Sequence, residues 1–351
     1  MNLFTKVDIP AADFKIDYNS HLAFFGSCFA DNISAQFASR KFKVLANPLG
    51  TVYNPLSIER QLHRIASGNA LGENDVFKDE RSDGLWHCWN AHSSLSAKTK
   101  EECIEKLNAA SAQAREFLQQ ADTVFITIGS AYVYSLNGNV VANCHRQDPR
   151  MFERKLISVE EASLSIQKIV ASLRDINRDI HIVFTVSPIR HMGDGAHGNN
   201  LSKATVLLGI ENALQEIAAS PSAPRNDVAR LASINTRVDI CKSQQSCTLC
   251  NDAAAYFPSY EIVMDELRDY RFYSDDMIHL SKTAEDYIFE RMVETYCDST
   301  TQAHISQVEK YLKMANHRIQ DESAPAAQEL KKKLATQAKE LEKTIPGLIL
   351  G

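Results

Sequence analysis

Short apolar runs alternate along the chain with longer stretches in which apolar side chains return every three or four positions. The runs Leu22 to Phe25, Thr123 to Ile128 and Ile180 to Val186 are rich in β-branched or aromatic residues and end near glycine or proline, which predicts strands. Helical spacing extends over Phe29 to Arg40, Pro55 to Ser67, Thr99 to Gln120, Val159 to Arg174, Leu201 to Ala219 and Lys282 to Tyr296. The alternation predicts βαβ units, and with them an α/β fold in which helices sandwich a mostly parallel sheet. Between Tyr132 and Ala142, apolar residues flank Leu136-Asn137-Gly138-Asn139, and Asn-Gly is the strongest short-range hairpin signal. That hairpin delivers Asn143 and His145 beyond the third strand.

After Asp298 the character changes. Ile305, Val308 and Leu312, then Leu330, Leu334, Ala338, Leu341 and Ile345, recur at helical spacing among many charges. This predicts two amphipathic helices joined at Glu322-Ser323-Ala324-Pro325. The chain thus reads as a body over residues 1–298 and a C-terminal helical extension over residues 299–351. The stripe of the extension can pack back on the body, as the apolar face of any surface helix does, or against a second subunit to make a homo-oligomer. Ser220 to Asp252, with its prolines and poor periodicity, is the most loop-like stretch.

Composition narrows the partners. With 351 residues, 44% of them hydrophobic, the chain is long enough to bury a large core. Lys and Arg total 38 against 44 Asp and Glu, so nothing in the net charge of -6 attracts nucleic acid or an anionic membrane. The first ten residues lack a basic segment followed by an apolar one, and no run of about 18 apolar residues occurs, so a cytoplasmic location is expected. Eight cysteines in a chain this long do not make a disulfide scaffold. Cys247-Thr248-Leu249-Cys250 has the spacing of half a zinc site, but a structural site takes four ligands and no second half is present, so no metal is expected.

Two short segments about 250 residues apart carry candidate chemistry. Phe24-Phe25-Gly26-Ser27-Cys28-Phe29-Ala30 sets a Gly-Ser pair between a strand and a helix, a junction that can lift a hydroxyl into a site or simply cap the helix. Asp276-Met277-Ile278-His279 spaces a carboxylate and an imidazole by three residues, so that one helical turn brings them to one side; the same pattern also suits a helix start. A serine hydroxyl needs a base to take its proton, and neutral histidine suits that task. Ser27, His279 and Asp276 therefore read as nucleophile, base and orienting carboxylate, with Cys28 a rival nucleophile and Asp275 a rival carboxylate.

Gly26-Ser27-Cys28-Phe29-Ala30 also spells the motif that names the GSCFA family, and the chain resembles that family, a branch similar to the SGNH/GDSL-type esterases. Further blocks follow in family order: Asn47-Pro48-Leu49-Gly50-Thr51-Val52-Tyr53-Asn54-Pro55, Ala142-Asn143-Cys144-His145, Ser187-Pro188-Ile189-Arg190-His191, and Tyr256 through Tyr273. The resemblance spans roughly Thr5 to Tyr296. The chain departs from it at Leu280, where the family usually shows proline, over Pro221 to Asp252, and at Gly129-Ser130-Ala131-Tyr132, where the Gly-x-Asn-Asp of SGNH-like enzymes is absent.

The resemblance implies a three-layer α/β/α fold of the SGNH-hydrolase type and puts the nucleophile on Ser27. It implies an oxyanion hole made of the Ser27 N–H, the Gly50 N–H and the Asn143 amide. His145, Arg190 and His191 lie in family-like blocks and are expected to line the substrate pocket, with Arg190 able to hold a carboxylate or phosphate. Trp86, His87, Trp89 and His92 cluster in a loop, where tryptophans stack on a sugar ring or serve as core aromatics. The expected activity is that of a serine esterase on an O-acyl ester of a carbohydrate or other small metabolite, without metal or organic cofactor. An acyltransferase shares the first half-reaction, and a catalytically silent binding protein shares the fold.

Overall fold

The computed structural model describes residues 5–219, 250–251, 254–316 and 325–350. The first strand, β1 (His21–Gly26), runs into helix α1 (Cys28–Ser39), and β2 (Lys43–Ala46) returns beside it. Helix α2 (Pro55–Ser67), a small hairpin of β3 (Phe77–Lys78) and β4 (Trp86–His87), and helix α3 (Lys100–Gln119) lead to β5 (Thr123–Ile128). A three-stranded antiparallel sheet follows, from β6 (Tyr132–Leu136), β7 (Asn139–Val141) and β8 (Glu153–Leu156). Then come α4 (Val159–Ile176), β9 (His181–Val186), α5 (Gly195–Ala219), β10 (Cys250–Asn251), β11 (Ala254–Tyr256) and the short α6 (Ser259–Glu261). Helices α7 (Lys282–Tyr296), α8 (Ser299–Ala315) and α9 (Pro325–Thr344) complete the described chain.

The central sheet has the order β10-β11-β9-β5-β1-β2. Strands β2, β1, β5, β9 and β11 run parallel, and β10 pairs antiparallel at one edge. Side chains alternate in direction along each strand, and here both directions are apolar. Ala23 and Phe25 of β1, Val124, Ile126 and Ile128 of β5, and Ile182 and Phe184 of β9 face one core with the buried stripes of α2, α3, α4 and α5. Leu22, Phe24, Phe125 and Val183 face a second core with α1 and α7. The result is the expected mostly parallel α/β arrangement with helices on both faces.

The periodicity placed α2 and β5 at their observed limits, and Asn137 (φ 50°) and Gly138 (φ 77°) make the expected tight turn between β6 and β7. Three things differ. Helix α5 starts at Gly195 rather than Leu201, its first turns hidden in the sequence behind Gly195, Gly198, Asn199 and Asn200, all weak helix formers. Strands β2 and β11 are too short to show a period. The Asp276 to His279 segment is neither a helical turn nor a helix start: it is a turn with Met277 at φ 59°, and α7 begins only after its cap at Ser281. The Cys247 half of the C-x-x-C pair and nearly all of Ser220 to Asp252 lie outside the described residues, as does the Glu322-Ser323-Ala324 joint.

The C-terminal stripe is used within the chain. Ile305 and Val308 of α8, with Leu341, Ile345 and Leu348 of α9 and the residues after it, join the second core beside Tyr18, Phe37 and Phe42. Ile345 is fully buried. Ile345→Ala removes three carbons from this contact and is expected to lower the unfolding free energy by about 2 to 4 kcal/mol. Urea unfolding followed by circular dichroism measures it; an unchanged midpoint would mean that α9 is not part of the cooperative fold.

Candidate active site

In a parallel sheet ligands bind beyond the carboxyl ends of the strands, where the strand order reverses. The chain goes from β1 to β2 on one side and then returns to β5 on the other, so the reversal lies between β1 and β5. Gly26 ends β1 at φ 125°, and a Cβ there would stand 2.0 Å from Thr127 O on β5. Only glycine fits so close an approach, and it sets Ser27 at the reversal. The loop after β2 is tied to the same point: Asn47 Oδ1 accepts from Gly26 N at 2.8 Å, Asn47 Nδ2 donates to Asp31 Oδ1 at 2.7 Å, and Thr51 Oγ1 donates to Asp31 Oδ2 at 2.9 Å.

Ser27 occupies the N-cap position of α1, yet its side chain accepts no capping hydrogen bond. Its Oγ is buried and makes no hydrogen bond with any described residue, His279 included. The strand-to-helix junction suggested a hydroxyl lifted into a site; the side chain is instead 1% exposed and is not among the residues that line the cavity beside it. Its neighbour Cys28 does line that cavity. Burial, seconded by the Asp31 charge, pushes the Cys28 thiol up from its ordinary range, which keeps it protonated and a weak nucleophile.

The cavity holds about 490 Å³, and its walls include Cys28, Tyr53, Asn143, Arg190, His191 and His279. His279 is presented by the turn after the short helical segment Tyr270–Phe272. Asp276 Oδ1 accepts from the N–H groups of Ile278 and His279, each at 2.9 Å, which fixes the turn. Its Oδ2 lies 2.6 Å from His279 Nδ1. The bond from His279 first, then these two N–H groups, hold the Asp276 carboxyl well below the usual carboxylate range. The pair that spacing suggested on a helix is thus made by a carboxylate-capped turn, and it engages His279, a cavity wall, through Nδ1. Asp275 has no such bond among the described contacts.

A second imidazole lies near Ser27. A Cβ placed on Gly129, just past β5, would lie 3.2 Å from His191 Nε2 and 3.3 Å from Ser27 Cβ, so the two side chains flank one point. His191 Nε2 is buried and has no hydrogen-bond partner among the described residues. Burial, then the charges of Lys203 and His279, push its pKa down to about 4, so the ring is neutral near pH 7. Lys203, from α5, is a residue the sequence did not single out: a lysine in a helical run gives no sign of its burial. It is 1% exposed, and its Nζ donates to Gly129 O at 2.7 Å and Ser187 O at 2.6 Å, bridging the ends of β5 and β9. Burial, with some repulsion from Arg190, lowers its pKa to about 7.

The implied oxyanion donors fare differently. The Ser27 N–H already donates to Thr127 O of β5 at 3.1 Å, and the Gly50 N–H to Asn47 O within its own turn at 2.7 Å. Gly50 is not a cavity wall: it packs beneath His92, whose Cβ is 2.0 Å from where a Gly50 Cβ would be. Asn143 does line the cavity, its Oδ1 accepting from His145 N at 2.8 Å, which leaves the amide nitrogen as its donor end. His145 is not at the cavity. It is buried among Phe77, His87 and Trp89 with Nε2 2.8 Å from Cys88 O, and burial lowers its pKa to about 4: a core histidine rather than a substrate contact. Trp89 stacks on Phe77 at 3.7 Å and is likewise committed to packing. Arg190 and His191 both line the cavity, as expected, and Tyr132 and the Arg154–Asp194 ion pair add walls that carried no motif.

Among the described residues, Asp79, Asp83 and His87 bring possible metal-ligand atoms within 4.8 Å of one another. These groups also close their own loop, His87 bonding Ser96 Oγ and Asp83, and Asp79 Oδ1 accepting from Arg81 and Ser82. No described helix is long and apolar enough to cross a membrane. A model of the GSCFA family matches residues 21–221 and 240–292, a span that includes Ser27 and every residue of the cavity. Its gap falls within the Pro221 to Asp252 stretch that fits the family pattern poorly. No curated relative matches the chain.

Lys203 gives stability a pH dependence with a definite sign. Its pKa is about 7 in the fold and near 10.4 when unfolded, so between those values the unfolded chain binds the extra proton and stability rises with pH. Lys203→Met removes this term. The stability of the native protein relative to that variant is expected to climb between pH 7 and pH 10, at up to about 1.4 kcal/mol per pH unit, and to stay level below pH 6. Paired urea titrations across that range measure the difference; a flat difference would place the Lys203 pKa at its ordinary value.

Proposed function

This chain belongs to the GSCFA family, and from that premise we propose that it is a serine hydrolase of the SGNH-like kind, cleaving an O-acyl ester of a carbohydrate or other small metabolite through an acyl-enzyme on Ser27. The observation that carries the reading is the state of Ser27 Oγ: at a helix N-cap it does no capping, and it lies buried and unpartnered at the sheet's reversal point. Other buried hydroxyls, Ser57, Thr123 and Ser259 among them, also lack a partner among the described residues; what sets Ser27 apart is its place, at the reversal of strand order and with its Cβ 3.3 Å from a point that His191 Nε2 also flanks. The next residue, Cys28, lines a cavity whose walls also include an imidazole oriented by a carboxylate 2.6 Å away.

In this mechanism Ser27 Oγ attacks the ester carbonyl carbon as His279 Nε2 takes its proton. Oγ and His279 are not hydrogen-bonded in the described state, so this step requires the two groups to come together when substrate is bound. Collapse of the tetrahedral intermediate expels the alcohol, which receives the proton from His279. Water then attacks the acyl-enzyme, gives its proton to His279, and the released Ser27 recovers it as the acid departs. Asp276 fixes the imidazole tautomer and stabilises the imidazolium without taking the proton. With the Ser27 and Gly50 N–H groups spent on backbone oxygens, the donors for the oxyanion are the Asn143 amide and the neutral His191 ring, in the tautomer that carries its proton on Nε2. If an alcohol replaces water in the second half, the same residues perform acyl transfer.

A fluorophosphonate probe with intact-mass detection tests the nucleophile without knowledge of the substrate. One adduct is expected on the native protein and on Cys28→Ala, and none on Ser27→Ala; an adduct that survives Ser27→Ala but not Cys28→Ala would move the chemistry to the thiol. The oxyanion assignment is tested by rates of the same labelling. His191→Leu is expected to slow it by roughly 10²-fold or more, as loss of one oxyanion donor does, while His191→Gln, which keeps an N–H donor, recovers part of the loss. Equal rates in the two variants would remove His191 from the reaction.

A further inference from the structure

Arg190 stands between two cavities. It lines the one that holds His279, about 490 Å³, and also a neighbouring one of about 340 Å³ whose walls include Val263, Met264, Leu267 and Met277. The acidic side chains of these walls are already matched. Asp194 pairs with Arg154, whose guanidinium also lies 3.7 Å over the Tyr132 ring. Asp269 pairs with Arg271 at 3.4 Å and accepts its N–H at 3.0 Å. Arg190 itself makes no hydrogen bond or ion pair with any described residue, and Arg268 adds a second guanidinium to the smaller cavity.

We infer that Arg190 is an anion subsite, and that the ester taken at Ser27 carries a carboxylate or phosphate group seated on this guanidinium, with an apolar portion in the smaller cavity. The inference rests on the esterase reading for the word ester; the anion subsite stands on the charge arrangement alone. A guanidinium is planar and presents paired donors that match either oxyanion. Half-buried at the joint of two cavities and left without a counter-charge, it is the kind of group whose partner arrives with the ligand. The field around it is also positive toward its other neighbour: Arg190 is one cause of the lowered pKa of Lys203, a repulsion that a bound anion would relieve. The walls beyond Arg190 are mixed: Val263, Met264, Leu267 and Met277 offer carbon and sulfur along one part, which suits a hydrocarbon segment, and Arg268, Asp269, Tyr270 and Tyr273 bring polar groups along the rest.

The test compares p-nitrophenyl butyrate with the p-nitrophenyl monoester of succinic acid on the full chain, and measures succinate and inorganic phosphate binding to Ser27→Ala by calorimetry. The native protein is expected to prefer the anionic ester in kcat/KM. In Arg190→Gln that selectivity is expected to fall at least tenfold, through KM, and Arg190→Lys, which keeps the charge but loses the fork, should fall in between. Binding of succinate or phosphate to Ser27→Ala should weaken to match when Arg190→Gln is added; which of the two binds more tightly separates a carboxylate from a phosphate ligand. Turnover of neither ester, with anion binding that depends on Arg190, would sink the esterase reading and keep the subsite. Turnover of both esters at equal efficiency, or anion binding indifferent to Arg190→Gln in a variant that melts like the native protein, would overturn the subsite and leave the esterase standing.

Discussion

The site depends on how closely β1 approaches β5 at Gly26. With 2.0 Å between Thr127 O and the place of a Cβ, no other residue lets the two backbones meet there, and the meeting decides where Ser27 falls. The Ser27 N–H is drawn into the same contact through Thr127 O, and the β2 loop is fastened to it through Asn47 and Asp31. The serine is therefore held by backbone geometry and by its neighbours' side chains. Its own hydroxyl is left out of the scaffold.

Around that point the fold tolerates polar groups that stability alone would not select. Lys203 is buried with its ammonium group held by two carbonyl oxygens and the Tyr260 ring 6.0 Å away, and His191 Nε2 and Ser27 Oγ are buried without hydrogen-bond partners among the described residues. Each costs free energy of desolvation. The two large apolar cores on either face of the sheet offset these costs, and the close spacing of the three groups beside one cavity marks the place where the protein gives up stability.

How much of this could be read in the sequence follows from the range of each signal. Local periodicity was enough for β5, α2 and α7, whose buried stripes are long and regular. It failed for β2 and β11, whose assignment depends on pairing with distant strands. The Asp276–His279 contact was legible because it needs only three residues of spacing, although a capped turn and not a helix makes it. His145 was misplaced because its block adjoins a cavity wall at Asn143 while its own ring turns into the aromatic cluster, a choice made by tertiary packing. Lys203 was invisible for a related reason: burial of a charge on a helix is set by the carbonyls it meets, which come from two other strands.

The docking of the last residues has a consequence for biosynthesis. Ile345 and Leu348 pack with Tyr18 in one core, and Gly347 sits so close to Tyr18 O and Asn19 that a Cβ on it would clash at 2.6 Å. These are the residues that lead into β1, the strand that carries Ser27. Their partners leave the ribosome about 330 residues later, so a nascent chain holds this part of the flank of its central strand uncovered until those residues are made. This protection of the segment before β1 waits for residues 345–348, and a chain that ends before them keeps an apolar surface next to its most constrained turn.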